Sequence, residues 1–240
     1  MERFTDRLAS IQEAIAHSAT TAGRSPDDIC LIAVSKTHPP EAVAEAIEAG
    51  QYVFGESRVQ EARAKIPLVS GKARWHFIGH LQKNKIRQIL PLVERLHGID
   101  SLELAKDVNR ISEEMGLFPK VLLEVNVAGE SSKYGFQPEQ VRAEMEQLLA
   151  LDRLQIDGLM TIPPLSAEAE DSRKYFAAVR ELRDELAATS RVSLPELSMG
   201  MSGDFTVAIE EGATMVRVGT ALFGHRSGKG WRPADEAPRF

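Results

Sequence analysis

The stretch CLIAVSKTHPP (residues 30–40) opens with five apolar residues, Cys30 to Val34, and closes on Ser35, Lys36 and a proline pair. A short apolar run bounded by turn-forming residues reads as a buried strand, here 30–35. An open dinucleotide-binding sheet would follow its first strand with a glycine-rich turn. KTHPP cannot form that turn, so a closed parallel barrel is favoured over an open sheet. Lys36 stands at the strand's end. Burying an ammonium without a partner is expensive, and a site that does so uses the amine. Desolvation lowers a lysine pKa and makes the amine a nucleophile for aldehydes. The alternative is a rim lysine whose head reaches water or pairs with a carboxylate such as Glu56.

The same alternation continues in both directions. Residues 2–21 carry Phe4, Leu8, Ile11 and Ile15 at helical spacing. Further strands are expected at 52–55, 75–79, 95–99, 121–127, 154–161, 197–199 (a weak one) and 214–219. Helices are expected at 40–49, 57–66, 84–92, 102–115, 138–151, 166–189 and 202–211, with a short one around Ala221. Alternation without a linker implies a parallel sheet. Eight units within 240 residues fit an α/β fold, a (β/α)8 TIM barrel with an extra N-terminal helix. Residues 1–240 read as a single domain. The terminal tail from about 226, rich in proline and charge, is expected to be partly disordered.

Composition narrows the class. The net charge of −6 argues against a general nucleic-acid binder. Cys30 is the only cysteine, which excludes an internal disulfide and a cysteine-cluster metal site. No signal-peptide core or membrane-length apolar run stands out. A cytoplasmic protein with neither membrane nor nucleic-acid partners is the expectation.

In such barrels the functional groups sit at the C-terminal strand ends. Those positions are Lys36, Glu56, His80, Asp100, Asn126, Thr161, Ser198 and Arg217. SMGMSGDF (198–205) and RVGTALFG (217–224) occupy the last two units. Ser202 is placed to cap a helix, with Asp204 in its first turn, while Gly219 and Thr220 open another helix. Backbone N–H groups there suit a phosphate; ordinary capping is the plainer explanation. An imine-forming lysine opposite a phosphate cup suggests pyridoxal 5'-phosphate, with its aldehyde on Lys36 and its phosphate on Ser202, Gly219 and Thr220. Arg217 faces the same side as Gly219 and would reach the pyridine nitrogen. A permanent cation there opposes protonation of that nitrogen. The alternative for Arg217 is a salt bridge with Glu210 or Glu211. His76 and His80 are four apart but sit on strand and loop, so they make a poor metal pair; His80 reads as a capping or cofactor-side group. Asn84 reads as a helix cap and Lys133 as a solvated loop lysine. Met160, Met199 and Met201 suit core filling or packing against a planar ring.

AVSKTHP, FGESRVQE, WHFIGHLQKNK, SKYGF, GLMTIP, LSMGMSGDF and TMVRVGTALFG, in that order, resemble the motifs of the pyridoxal phosphate homeostasis protein family over about residues 5–225. The resemblance implies a barrel like the N-terminal domain of alanine racemase, with Lys36 holding the cofactor as an imine. It places Ser202, Gly219 and Thr220 at the phosphate and Arg217 near the pyridine nitrogen. Ser57, His80 and Met201 are further candidates beside the cofactor. The family's usual FGEN is FGES here, so Ser57 replaces an asparagine and loses its amide reach. The implied function is intracellular buffering or delivery of pyridoxal phosphate, with effects on amino-acid and keto-acid balance. Apo-enzymes that need the cofactor would be the partners, and the protein would be a monomer without a defined catalytic reaction. An amino-acid racemase is the alternative. Racemases of this barrel type use a tyrosine base on a second domain. Of Tyr52, Tyr134 and Tyr175, only Tyr134 is a plausible substitute. A lysine-dependent aldolase without pyridoxal is a third option.

Overall fold

The computed structural model describes residues 2–69, 71–130, 133–224 and 231. Eight parallel strands close a barrel in sequence order: β1 (Cys30–Val34), β2 (Val53–Glu56), β3 (Arg74–Phe77), β4 (Arg95–Ile99), β5 (Lys120–Glu124), β6 (Gln155–Met160), β7 (Glu196–Met201) and β8 (Met215–Val218). β8 pairs with β1 through the register Ile32–Arg217, which removes both sheet edges. Successive side chains along a strand point to opposite faces. One set meets the surrounding helices in the main core. Ile32, Val53, Leu122, Met160 and Met215, from five different strands, form a separate cluster. Residues on strands so far apart can meet only inside the barrel, so this cluster marks the lumen.

The helical layer comprises α1 (Phe4–Thr21), α2 (Pro40–Glu48), α3 (Val59–Lys65), α4 (Ile86–Ile89), α5 (Leu102–Met115), α6 (Pro138–Leu149), α7 (Arg173–Ser190), α8 (Phe205–Glu210) and α9 (Thr220–Phe223). α1 precedes the first strand and packs on α8 and α9. It buries Phe4, Leu8, Ile11 and Ile15, each contributing about 1.5–3 kcal/mol of hydrophobic stabilisation. Arg24, just beyond α1, donates to the carbonyls of Ile209 (3.1 Å) and Ala213 (2.7 Å), tying the added helix to the last barrel unit.

The barrel and its N-terminal helix agree with the sequence reading. Several boundaries differ for local reasons. The helix expected over 84–92 is the single α turn α4 between 3-10 turns at Lys83–Lys85 and Leu90–Leu92; Pro91 lacks the N–H needed to continue it. α7 starts at Arg173, after a 3-10 turn at Ala169–Ser172. Residues 162–168, with Pro163 and Pro164, form a loop instead. β7 is a full six-residue strand. Within it Gly200 has φ +89, and a Cβ there would lie 2.5 Å from the Ala208 Cβ, so a side chain is barred by conformation and by α8. The expected tail lies outside the described residues except Trp231, whose N–H donates to the Thr37 carbonyl at 2.8 Å.

Candidate functional site

A cavity of about 830 Å³ opens at the C-terminal mouth of the barrel. Lys36 and Ser57 line it on the β1–β2 side, and Met201, Ser202, Arg217, Gly219 and Thr220 line it on the β7–β8 side. The loop over residues 162–169 forms one rim. Gly79, in the loop after β3, also lines it; a Cβ there would lie 2.3 Å from the Ser57 carbonyl oxygen, so the backbones of the two loops touch.

Lys36 sits in the turn after β1, and its side chain is exposed at the cavity. Of the two readings of Lys36, a buried amine or a rim lysine, this position fits the rim: the strand stops at Val34, one residue short of the expected Ser35, and the turn after it sets Lys36 at the barrel mouth. Among the described residues the buried lysine is Lys65 on α3. Its Nζ donates to Glu56 Oε1 (2.6 Å), Glu61 Oε1 (2.9 Å) and the Ser35 carbonyl (2.8 Å), with all three side chains almost wholly buried. Glu56 also accepts from the Ser35 hydroxyl at 2.7 Å. Val53 faces the lumen, so by alternation Glu56 faces the helices and Lys65. Glu56 thus leaves the expected set of lumen groups. Burial raises its pKa, with Lys65 opposing.

On the opposite side, Ser202 Oγ accepts from the N–H groups of Gly219 (3.3 Å) and Ala221 (3.5 Å). The loops after β7 and β8 therefore converge on one oxygen. Ser202 is not the N-cap of α8, the helix that follows it. α8 begins at Phe205 with Asp204 before it, and Asp204 Oδ1 accepts from the Met201 N–H at 2.7 Å. The donors on this side are individual backbone N–H groups and a hydroxyl, not the dipole of a long helix.

Arg217 is 4% exposed and is held by two neutral oxygens: Nη1 donates to Ser198 Oγ (2.6 Å) and Nη2 to the Thr161 carbonyl (2.9 Å). Burial pushes its pKa down to about 10, with Glu124 and Asp204 opposing. Glu210 and Glu211 pair instead with Arg173 and Arg180, so the salt bridge considered for Arg217 is not formed. Glu124, at the end of β5, is pushed up to about 7 by burial and by Asp100, with Arg217 opposing.

The remaining candidates are divided between this cavity and its surroundings. His80 lines a second, neighbouring cavity, where Nδ1 lies 2.9 Å from Asp100 Oδ2 and its ring stacks on Tyr134 at 3.7 Å. Tyr134 lines that second cavity as well, and among the described residues no tyrosine lines the main one. Lys133, expected to be solvated, bridges Pro163 O (3.0 Å) and Glu130 (3.1 Å). Asn126 pins its own loop through the Glu130 carbonyl at 2.8 Å. Met160 is in the lumen, Met199 in the outer core and Met201 at the cavity. Among the described residues no three His, Cys, Asp or Glu side chains are arranged to hold a metal. Sequence reasoning missed Lys65, Glu61, Glu124 and His97; counting alternation outward from the apolar strand residues would have found Glu124 and His97.

Residues 7–227 match the family model described as alanine racemase, N-terminal domain. The pyridoxal phosphate homeostasis protein of Aquifex aeolicus is 45% identical over 222 residues, covering 92% of this chain and 97% of the relative. The chain belongs to the pyridoxal phosphate homeostasis protein family. Another member, from Pseudomonas aeruginosa, is 44% identical over 94% of this chain and 97% of its own length. Among solved structures, PipY of Synechococcus elongatus with PLP bound superposes with a TM-score of 0.83 at 41% identity, covering 92% of this chain and all of PipY. Alanine racemase of Clostridium difficile shares the barrel alone, at 18% identity and TM-score 0.68, over 92% of this chain and 58% of the racemase. The donor set here suits the family's cofactor: an amine, a guanidinium and a cluster of hydroxyl and N–H groups share one cavity.

Proposed function

We propose that this chain binds pyridoxal 5'-phosphate at the barrel mouth and holds it for delivery rather than for turnover of an amino acid. One observation carries this reading. Lys36, Arg217 and the Ser202–Gly219–Ala221 cluster line or border the same cavity. Their chemistries match an aldehyde, a ring nitrogen and a phosphate. Bound pyridoxal phosphate supplies a carbonyl that bonds covalently to an amine and a ring that accepts electrons.

The chain's own groups divide the work. Lys36 brings its amine to the mouth of the cavity. Ser202, Gly219 and Thr220 hold the phosphate, the first two through the hydroxyl and N–H groups that now face each other. Arg217 donates to the ring nitrogen and, as a cation, opposes its protonation, which weakens the ring as an electron sink. Ser57 and Met201 border the ring. Two-faced proton transfer at a substrate carbon needs a second base opposite the lysine. Tyr134, the residue considered for that role, is stacked on His80 in the neighbouring cavity. These features favour a holding and releasing role over racemisation.

In this reading the protein acts in the cytoplasm as a monomer, passes its cofactor to apo-enzymes and so affects amino-acid and keto-acid balance. Among the described residues no helix is long and apolar enough to cross a membrane. The test is transfer. Protein loaded with pyridoxal phosphate and mixed with an apo-enzyme should restore that enzyme's activity without racemising free amino acids. Racemisation by the wild type that is lost in Lys36→Ala would favour the enzyme alternative.

A further inference from the structure

A line of side-chain hydrogen bonds crosses the barrel lumen beneath the cavity. It begins at Arg217 on β8, whose Nη1 donates to Ser198 Oγ on β7 at 2.6 Å. Ser198 Oγ lies 2.9 Å from His97 Nδ1 on β4, and His97 Nε2 lies 3.0 Å from His76 Nδ1 on β3. Ser198 and His97 are fully buried, and His76 and Arg217 nearly so.

Arginine fixes the direction of this line because it has donors only. Ser198 Oγ therefore accepts from Arg217 and has one proton left to give. Giving it to His97 Nδ1 satisfies the hydroxyl. The reverse arrangement would leave a buried hydroxyl proton without an acceptor in this line. With Nδ1 accepting, His97 carries its proton on Nε2 and donates it to His76 Nδ1. His76 then carries its own proton on Nε2 as well. Every donor points the same way, from the cavity toward the barrel floor.

The surroundings suit two neutral rings. Burial disfavours charge on both. Arg95, Arg74 and Lys120 act on His76, whose pKa falls to about 3. His76, Arg217 and Arg95 act on His97 in the same direction. Near the floor Arg95 is itself paired with Asp157 (2.8 Å) and Glu196 (3.4 Å).

The geometry points to Ser198, His97 and His76 as positioning residues that aim the Arg217 guanidinium into the cavity, with both histidines held as neutral Nε2–H tautomers. Ser198 and the Thr161 carbonyl fix the guanidinium plane through two of its five N–H groups. Both anchors are neutral, so the guanidinium is held without a carboxylate hydrogen-bonded to it and keeps its charge for a ligand. The effect on a ligand rests on pyridoxal phosphate occupying this cavity; the tautomers do not.

Two measurements separate these claims. The first is 15N-histidine NMR of the full chain without ligand, with signals assigned through His76→Gln and His97→Gln. Both rings should be neutral Nε2–H tautomers, without titration from about pH 7 down to about pH 5. An Nδ1–H tautomer or an imidazolium at either position overturns the line. The second is pyridoxal phosphate titration followed by absorbance in wild type, Ser198→Ala and Ser198→Thr. Ser198→Ala should weaken binding about tenfold and shift the absorption band, and Ser198→Thr, which keeps the hydroxyl, should restore both. Equal affinity and spectrum in wild type and Ser198→Ala overturn the positioning role. A wild type that takes up no cofactor sinks the pyridoxal phosphate reading and the ligand effect with it, while the NMR result still decides the hydrogen-bonded line.

Discussion

Lys65 Nζ donates to the backbone carbonyl of Ser35 at 2.8 Å, one residue before Lys36. The same ammonium bonds Glu61, whose Oε1 also accepts from the Thr37 N–H, one residue after Lys36. A buried cation thus braces the chain on both sides of the exposed amine. The brace is needed because Thr37 has φ +66, a strained conformation for a β-branched residue.

Removing that cation should be costly. In Lys65→Met the carboxylates of Glu56 and Glu61 stay buried without their shared partner. Breaking a buried ion pair from one side costs about 3–5 kcal/mol. Urea denaturation should show a loss of that order, and adding Glu56→Gln should recover part of it. A Lys65→Met protein as stable as wild type would show that the buried pair is not structural.

Acid stability should report on the lumen. The folded-state pKa of His76 is about 3 and that of His97 is lowered too. As pH falls below about 6.5, the unfolded chain takes up protons that the folded chain refuses, so stability is lost. Glu124 has the opposite sign. Its folded pKa is raised from 4.5 to about 7, so it adds stability as pH falls through that window. Glu124→Gln should therefore lose stability more steeply than wild type between about pH 7 and about pH 4.5. Parallel stability curves for the two proteins would contradict the assignment.

Gly200→Ala should distort the β7–α8 turn. Positive φ and a Cβ 2.5 Å from the Ala208 Cβ together cost about 2–4 kcal/mol. The strain falls directly before Met201 and Ser202, so cofactor affinity should fall along with the melting temperature. Unchanged affinity in a folded variant would separate this turn from the site.

Arg217→Glu should change the absorbance or affinity of bound pyridoxal phosphate, since it reverses the charge that the proposed site sets beside the ring nitrogen. Titration by visible absorbance checks this. An unchanged spectrum and affinity would remove Arg217 from the site.

The barrel was legible because apolar runs and helical spacing alternate eight times and short range is enough to read them. The cavity residues Lys36, Ser202, Arg217, Gly219 and Thr220 were legible for the same reason, since strand ends in a barrel converge. Glu56 was misplaced because the strand end was read without its alternation from Val53. Lys65 was missed because it is an ordinary helix lysine until the fold brings Ser35 to it, thirty residues away. Ser202 resembled a cap because Ser-Gly-Asp before an apolar run suits several turn geometries. The His76–His97–Ser198 contacts span three strands and exist only once the barrel closes.

The most direct test of the central claim is borohydride reduction of the protein incubated with pyridoxal phosphate, followed by peptide mapping. Lys36 should carry the label, and the sample before reduction should be yellow with a band near ~420 nm. A colourless sample, or a label on another lysine while Lys36 stays unmodified, would contradict it.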